Sequence, residues 1–173
     1  MDYLAVATVV ALVSTAFNLL LTFGVIRKLR EHDTRLAPPP VPDSGPPTGS
    51  TIAPLTATTV AGRQVSTVDA DRATLVGFFT PGCKPCADSI PEFLDRHART
   101  GVAAVAVVVT DVAGSGLYAE RLAEVDVLIE PGGGSWATAF RVSSFPTLCL
   151  IDRGGVVLGS GNAFTDLPML TAA

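Results

Sequence analysis

The most informative stretch of this chain is LVGFFTPGCKPC, at residues 75–86. Its first part, Leu75–Phe79, has the continuous apolar character of a buried strand, and a proline and a glycine end it. Beyond it, four residues recur at the i, i+3, i+4 and i+7 spacing of one helix face: Ile90, Phe93, Leu94 and His97. This spacing predicts a helix from about Cys83 to Arg99, with a Cys-x-x-Cys pair at the junction between strand and helix.

The chemistry of the chain is concentrated in Cys83-Lys84-Pro85-Cys86. At the start of a helix, Cys83 would meet unpaired backbone N–H groups and the positive end of the helix dipole, which stabilise a thiolate. Lys84 adds a positive charge that acts in the same direction. Cys86 lies one turn further on and can reach back to close a disulfide. We predict Cys83 as the nucleophile and Cys86 as the resolving residue, with Lys84 and Pro85 influencing the redox potential.

A Cys-x-x-Cys pair also occurs as half of a zinc site, which needs two further ligands. The rest of the chain offers three candidates: Cys149, His32 and His97. His32 follows the apolar N-terminal stretch and His97 belongs to the apolar stripe of the predicted helix, so no metal site is predicted. Cys149 lies in the apolar run Leu148–Ile151 and is interpreted as a buried strand residue, with a third redox-active thiol as the alternative.

After the predicted helix, the sequence alternates between apolar runs and helical spacing. Val102–Val109 is apolar without alternation, which is typical of a strand covered on both faces of a parallel sheet. Later segments predict a crossover helix, a short strand, a helical turn and a hairpin: Leu117–Glu124, Val125–Ile129, Trp136–Phe140, and Thr147–Ile151 with Val156–Ser160. This order of elements predicts an α/β fold class.

The N-terminal part has a different composition. Tyr3–Ile26 carries no charged side chain over 24 residues. As a helix it would be about 36 Å long, enough to cross a hydrocarbon core of about 30 Å. No basic residue precedes it, so we predict an uncleaved transmembrane anchor. Four basic residues follow it: Arg27, Lys28, Arg30 and Arg35. By the positive-inside rule they predict that the C-terminal domain lies in the cytoplasm.

Composition divides the chain further and excludes several classes of protein. We predict an anchor with its basic flank at residues 1–36, a proline-rich linker that acts as a semi-extended spacer at 37–54, and a folded domain at 55–173. An apolar fraction of 48% excludes a disordered chain, and three cysteines are too few for a disulfide-rich scaffold. A net charge of −4 gives no basic surface for nucleic acid, so none is expected as a partner.

The order of elements resembles the thioredoxin fold over about Thr56–Phe164. The resemblance is carried by the cysteine pair after a strand, a helix interrupted by Pro91, and Ser144-Phe145-Pro146-Thr147 before the hairpin. It implies a central mixed β-sheet flanked by helices, here preceded by one transmembrane helix. The anchor, the spacer and the lead-in Ala61-Gly62-Arg63-Gln64-Val65 make the chain more similar to the anchored TlpA-like thiol–disulfide oxidoreductases. Thr80-Pro81-Gly82-Cys83 is closer to the MauD-like subgroup.

The resemblance also implies a site and an activity. In that family a cis proline matching Pro146 stands beside the disulfide, so Phe145 and Pro146 are implied to line a substrate groove. The implied activity is thiol–disulfide exchange with protein substrates, without a cofactor, and with a membrane electron donor or acceptor as a candidate partner. The implied location is extracytoplasmic, where disulfides persist. This location conflicts with the cytoplasmic one that the flanking charges predict.

Two acids that are common in the family are absent from this chain. Many thioredoxins have a buried acid six residues before the first cysteine, where this chain has Gly77. TlpA-like reductases have a glutamate three residues after the second cysteine, where it has Ser89. Asp88 is the nearby candidate for a proton acceptor. Compared with the fold it resembles, the chain is also expected to have a truncated C-terminal helix, which Asp166–Ala173 would form.

Two other functions stay open at this point. Thr80-Pro81-Gly82-Cys83 also resembles the Thr-x-x-Cys of peroxiredoxins, in which the hydroxyl and the thiolate hold a peroxide. Those enzymes have a proline where this chain has Val76, and a second cysteine three residues on is unusual for them. Alternatively, an anchored thioredoxin-like domain could dock a membrane partner without catalysis, an interpretation against which the intact Cys83 and Cys86 argue.

Overall fold

A computed structural model describes Tyr3 and residues 7–21, 44–68, 72–111 and 115–169. The chain divides into two compact units, Met1–Val41 and Pro42–Ala173. In the first unit, residues 7–21 are helical (α1), and their large apolar side chains are exposed. Among the described residues, no helix is both long enough and apolar enough to cross a membrane. Part of the predicted span, residues 4–6 and 22–26, and all four of the basic residues that follow it lie outside the described residues.

The second unit is built on a five-stranded mixed sheet in the order β5-β4-β3-β6-β7, next to a two-stranded β1-β2 sheet. β3 pairs with β4 in parallel and with β6 antiparallel. The strands are β1 Thr56–Thr58, β2 Gln64–Ser66, β3 Thr74–Phe79, β4 Ala103–Val109, β5 Asp126–Glu130, β6 Thr147–Ile151 and β7 Val157–Gly161. The helices are α2 Lys84–Thr100, α3 Ser115–Glu120, α4 Ser135–Ala139 and a 3₁₀ turn at Phe164–Asp166. The predicted α/β fold with a mixed sheet between helices is confirmed.

The central strands are buried on both faces, because side chains alternate across a strand and both faces of the sheet are covered. On β4, Ala104, Ala106 and Val108 belong to the apolar cluster that includes Ile90 and Phe93 of α2. Val105, Val107 and Val109 lie between them and belong to a second cluster on the other face. That cluster includes Trp136 of α4 and Phe140, the residue that follows α4. The continuous apolar run of the sequence therefore supplies two separate cores.

The boundaries of α2 follow from residues at its two ends. Cys83 is its N-cap residue, and Gly101 ends it in the left-handed conformation at φ 64° while donating its N–H to the His97 carbonyl. His97 itself is half-buried, with Nδ1 at 2.7 Å from the Val102 carbonyl oxygen. The helix that we predicted from the sequence differs from α2 by one residue at each end.

The predicted crossover helix differs more from the structure. α3 ends at Glu120 instead of Glu124. Beyond it, i to i+3 hydrogen bonds replace the helical ones: Leu122 N–H donates to Ala119, Ala123 to Glu120, and Val125 to Leu122. These tight turns place Leu122 fully inside the core that faces α2, and β5 begins one residue later than predicted.

The segment before β1 lies along the sheet. Residues 44–54, which the sequence assigns to the linker, contact the domain, and Ile52 is only 2% exposed. Gly49 N–H donates to the Val157 carbonyl and Val157 N–H to the Ser50 carbonyl, each at 2.8 Å, along the outer edge of β7. At the opposite edge, Val60 N–H donates to the Val127 carbonyl of β5. Both edge strands of the sheet are therefore partly covered, which limits pairing with other chains.

Candidate active site

The cysteine pair lies where β3 gives way to α2. The connecting turn includes Gly82 at φ 80°, a conformation that favours glycine. It brings Cys83 to the N-cap position, where Sγ accepts the backbone N–H of Cys86 at 3.2 Å. This hydrogen bond and the positive end of the 17-residue helix α2 both favour negative charge on Cys83 sulfur.

Cys83 and Cys86 form a disulfide with a Cα–Cα distance of 5.3 Å. The two residues differ in exposure: Cys83 is half-buried, whereas Cys86 is completely buried in the core between α2 and the sheet. The residues around the pair are exposed: Pro81, Gly82, Lys84 and Pro85. Only the Cys83 sulfur is therefore placed for attack by a group from another molecule.

A loop from a distant part of the sequence completes the site. Phe145 and Pro146 are joined by a cis peptide bond, and the Phe145 carbonyl oxygen lies 3.7 Å from Cys83 Sγ. Pro146 is buried, while the Phe145 side chain is half-buried and packs against both cores. The structure thus brings Cys83, Cys86, Phe145 and Pro146 together; their roles in substrate binding and catalysis stay predictions.

Asn162 directly follows β7 and holds this loop, a role that nothing in the sequence pattern indicated. Its side-chain amide donates to Ser144 Oγ at 2.8 Å and also to the Pro146 carbonyl. Asp166 in turn accepts the backbone N–H groups of Asn162 and Ala163, at 3.1 and 2.9 Å. A single asparagine after a strand has no spacing signal, so only the fold reveals this contact.

Lys84 forms an ion pair with Asp88, one turn further along α2. Lys84 Nζ lies 2.8 Å from Asp88 Oδ2, and the two side chains are 86% and 65% exposed. The hydrogen bond to Asp88, together with its negative charge, raises the pKa of Lys84. Asp88, the candidate proton acceptor, is thus engaged at the surface, while Cys86 is buried. Because the ion pair is exposed, solvent screens its influence on Cys83.

Aromatic rings fill the space beside Gly77, the position at which the resemblance to thioredoxins led us to look for an acid. A Cβ atom built on Gly77 would lie 2.7 Å from ring carbons of both Phe79 and Phe93. These two rings pack edge to face with centroids 5.4 Å apart and are fully buried. Ser89, at the other acid position, donates its hydroxyl to the Pro85 carbonyl at 2.8 Å. An acid at position 77 would need both rings to move.

The third cysteine lies apart from the pair. Cys149 is fully buried in β6 and belongs to the core that faces α4, whereas Cys86 belongs to the core on the opposite face. Burial raises the pKa of the Cys149 thiol to about 12. Within the described part of the chain, no group of three or more His, Cys, Asp or Glu residues is arranged to hold a metal ion.

Comparisons with solved structures identify the architecture. No protein-family model matches the sequence, and neither does any curated protein. The thioredoxin domain of a thiol-disulfide oxidoreductase from Bacteroides vulgatus matches with a TM-score of 0.57 at 19% identity, covering 70% of this chain and 93% of that one. StoA from Bacillus subtilis matches with a TM-score of 0.53 at 19% identity, covering 68% and 90%. The domain has a thioredoxin-like fold.

A putative thiol:disulfide interchange protein DsbE from Chlorobium tepidum is also similar to this thioredoxin-like domain. It is 25% identical, with a TM-score of 0.52, and the match covers 69% of this chain and 89% of that one. In the present domain the Cys-x-x-Cys pair occupies the first turn of the helix that follows the central strand. The fold and the cysteine pair together support an oxidoreductase enzyme.

Proposed function

We propose that this protein is a membrane-tethered thiol–disulfide oxidoreductase that exchanges disulfides with protein substrates through Cys83 and Cys86. The observation that carries the proposal is the asymmetry of the pair. Cys83 caps a helix, is partly accessible and lies 3.7 Å from the Phe145 carbonyl oxygen, whereas Cys86 is completely buried behind it. An accessible sulfur suits attack by or on a substrate, and a buried one suits the intramolecular step.

The exchange transfers two electrons and passes through one mixed disulfide. In the reducing direction, the Cys83 thiolate attacks a substrate disulfide, and one substrate sulfur leaves as a thiolate. The Cys86 thiolate then attacks Cys83 sulfur, which releases the second substrate sulfur and forms the Cys83–Cys86 disulfide. In the oxidising direction, the same steps run in reverse. Stabilisation of the Cys83 thiolate by the N-terminus of α2 stabilises the reduced form, which favours the oxidising direction.

Trapping of the mixed disulfide tests these roles. We expect Cys86→Ser to accumulate covalent complexes with substrate proteins, because the step that resolves them is lost. Cys83→Ser is the matched control and should give none. Both changes are made together with Cys149→Ala, so that the buried third thiol forms no adduct during denaturing gel electrophoresis. Equal trapping by the two variants, or none by either, would contradict the assignment.

The membrane tether is proposed from the N-terminal sequence. The uncharged stretch Tyr3–Ile26 is long enough to cross a bilayer as a helix. Within it, apolar side chains of α1 are exposed, for example Leu12 at 70% and Leu20 at 72%. Exposed apolar surface of this kind is favourable in lipid and unfavourable in water. The resemblance to anchored TlpA-like and MauD-like enzymes points the same way. Release of the chain from membranes by alkaline carbonate would contradict the tether.

The side of the membrane on which the domain lies is decided by labelling of Cys83. Reduced intact cells that express the Cys149→Ala variant are treated with a membrane-impermeant maleimide, with lysed cells as the positive control. Protection until lysis is the result that the basic residues after the span predict, and it would favour a tethered cytoplasmic reductase. Labelling in intact cells would overturn that orientation and favour exchange with exported proteins, supplied by a membrane electron carrier.

A further inference from the structure

Ser44 is a buried polar residue with partners about a hundred positions away in the sequence. It is only 1% exposed. Its Oγ accepts backbone N–H groups from Ser143 at 3.3 Å and from Ser144 at 3.2 Å. The same hydroxyl also lies within hydrogen-bonding distance of Thr147 Oγ1. All of these partners belong to the loop Ser143–Thr147, which carries Phe145 and Pro146 and whose last residue begins β6.

The hydrogen atoms of this cluster can be assigned. The Ser144 carbonyl oxygen lies 2.7 Å from Thr147 Oγ1 but 3.5 Å from Ser44 Oγ, so the shorter contact assigns the Thr147 proton to that carbonyl and leaves Thr147 Oγ1 as an acceptor. Ser44 therefore donates its single proton to Thr147 Oγ1, and its lone pairs accept the two N–H groups. A hydroxyl group has one donor and two acceptor positions. Ser44 uses all three on this one loop.

The chain around Ser44 is itself fixed to the domain. Ser160 donates its hydroxyl to the Pro46 carbonyl at 2.7 Å. A Cβ atom on Gly45 would lie 2.8 Å from Ser160 side-chain atoms, so only glycine lets the segment approach β7 this closely. The edge pairing of Gly49 and Ser50 with Val157 continues the contact. The residues that follow Ser44 are thus fixed to β7, while Ser44 itself binds the loop.

We infer that Ser44 is a positioning residue, which sets the loop Ser143–Thr147 at the distance from Cys83 that an extended protein substrate needs. This inference rests on the proposed function. The end of the segment that leads from the N-terminal unit is therefore part of the support of the substrate groove. The hydrogen bonds described for Ser44 go to Ser143, Ser144 and Thr147 and not to a cysteine, so its removal should disturb binding of a chain along the loop and leave the chemistry of the Cys83–Cys86 disulfide intact.

The test compares two substrates in the full-length chain. One is a peptide that contains a disulfide in an extended segment, and the other is the small aromatic disulfide 5,5′-dithiobis(2-nitrobenzoate), which needs no groove. Ser44→Ala should lower kcat/KM for the peptide by about ten- to a hundredfold, mainly through KM, because a misplaced loop misaligns the reacting chain. The rate with the small disulfide and the redox equilibrium with glutathione should stay unchanged.

Ser50→Ala is the matched control. Ser50 is half-buried in the same segment, and its hydroxyl donates to the Pro47 carbonyl at 2.6 Å instead of to the loop. It should behave as the wild type does. Thr147→Val, which removes the acceptor of the Ser44 proton with little change in volume, should reproduce the peptide-specific defect and serves if Ser44→Ala does not fold.

The outcomes separate this inference from the proposed function. A wild type that exchanges neither disulfide overturns the proposed function and the inference with it. An active wild type with peptide kinetics unchanged by Ser44→Ala overturns the inference alone. Equal losses on the peptide and on the small disulfide would show a general structural role and would also overturn it. A loss confined to the peptide, together with wild-type behaviour of Ser50→Ala, supports it.

Discussion

Replacement of Gly77 by alanine tests how closely Phe79 and Phe93 pack against β3. The new methyl group would lie 2.7 Å from ring carbons of Phe79 and Phe93, and both rings are fully buried. Overpacking of this kind costs about 1–3 kcal/mol, and two rings locked edge to face favour the upper end. Gly77 has no positive φ, so alanine gains about 0.5–1 kcal/mol in the strand. We therefore expect a net loss of about 2 kcal/mol in the free energy of unfolding.

The assay is urea unfolding of the full-length oxidised chain, followed by fluorescence of its one tryptophan. Trp136 is a suitable reporter because it lies in the core on the opposite face of the sheet. Gly154→Ala is the matched control, since its added Cβ would make only an ordinary contact with Asp152, at 3.5 Å, and it should not destabilise the protein.

A double-mutant cycle identifies the cause. In a Phe93→Leu background one of the two clashing rings is gone, so the penalty of Gly77→Ala should shrink by about 1 kcal/mol or more. An unchanged penalty in that background, or no penalty in the wild type, would refute the account of this space as filled by aromatic rings. In that case an acid at position 77 would be compatible with the fold.

Three further expectations concern residues around the sheet. Burial raises the pKa of Cys149 to about 12, so maleimide at pH 7 should label this thiol only after unfolding. Because the thiol ionises in the unfolded chain at lower pH than in the folded one, the free energy of unfolding should fall as pH rises from about 9 towards 12. Cys149→Ala should make that fall smaller. Lys84→Ala should slow alkylation of reduced Cys83, and Asp88→Asn should accelerate it. Both effects should disappear at 1 M salt, because the Lys84–Asp88 ion pair is exposed to solvent. Rate differences that persist at 1 M salt would contradict this expectation. Glu130 accepts two N–H groups at the start of α4, at 3.1 and 2.7 Å, so Glu130→Ala should cost about 0.5–2 kcal/mol in urea unfolding.

Much of the fold can be read from local patterns. The apolar run at residues 75–79 and the helical spacing from Ile90 to His97 gave β3 and α2 to within about one residue at each end, because a strand buried on both faces and an amphipathic helix have different periods. The end of α3 could not be predicted in this way. After Glu120 the chain continues in i to i+3 hydrogen-bonded turns that bury Leu122 in the core, and this burial depends on tertiary packing.

The candidate site also has a part that the sequence predicts and a part that only the structure shows. The Cys-x-x-Cys pair is visible in the sequence because both its spacing and its place before a helix are local. The sequence shows less of what surrounds the pair. The proximity of Phe145 to Cys83 could be expected only through the family resemblance. Asn162 and Ser44 hold the loop through hydrogen bonds that join distant segments. No period or spacing in the sequence encodes such pairings, since they arise when the chain reverses direction around the sheet.

The sequence by itself determined the α/β class, the central strand and the position of the two cysteines at a helix N-terminus. Those features follow from hydrophobic periodicity and from residues adjacent in the chain. Only the tertiary structure decided which cysteine is accessible, what fills the space beside Gly77 and where the proline-rich segment ends. Residues 44–52 look like a spacer because prolines cannot form a regular ladder, yet single hydrogen bonds to β7 and to the loop at Ser143–Thr147 fix them to the domain. Their contacts depend on packing between parts of the chain about a hundred residues apart.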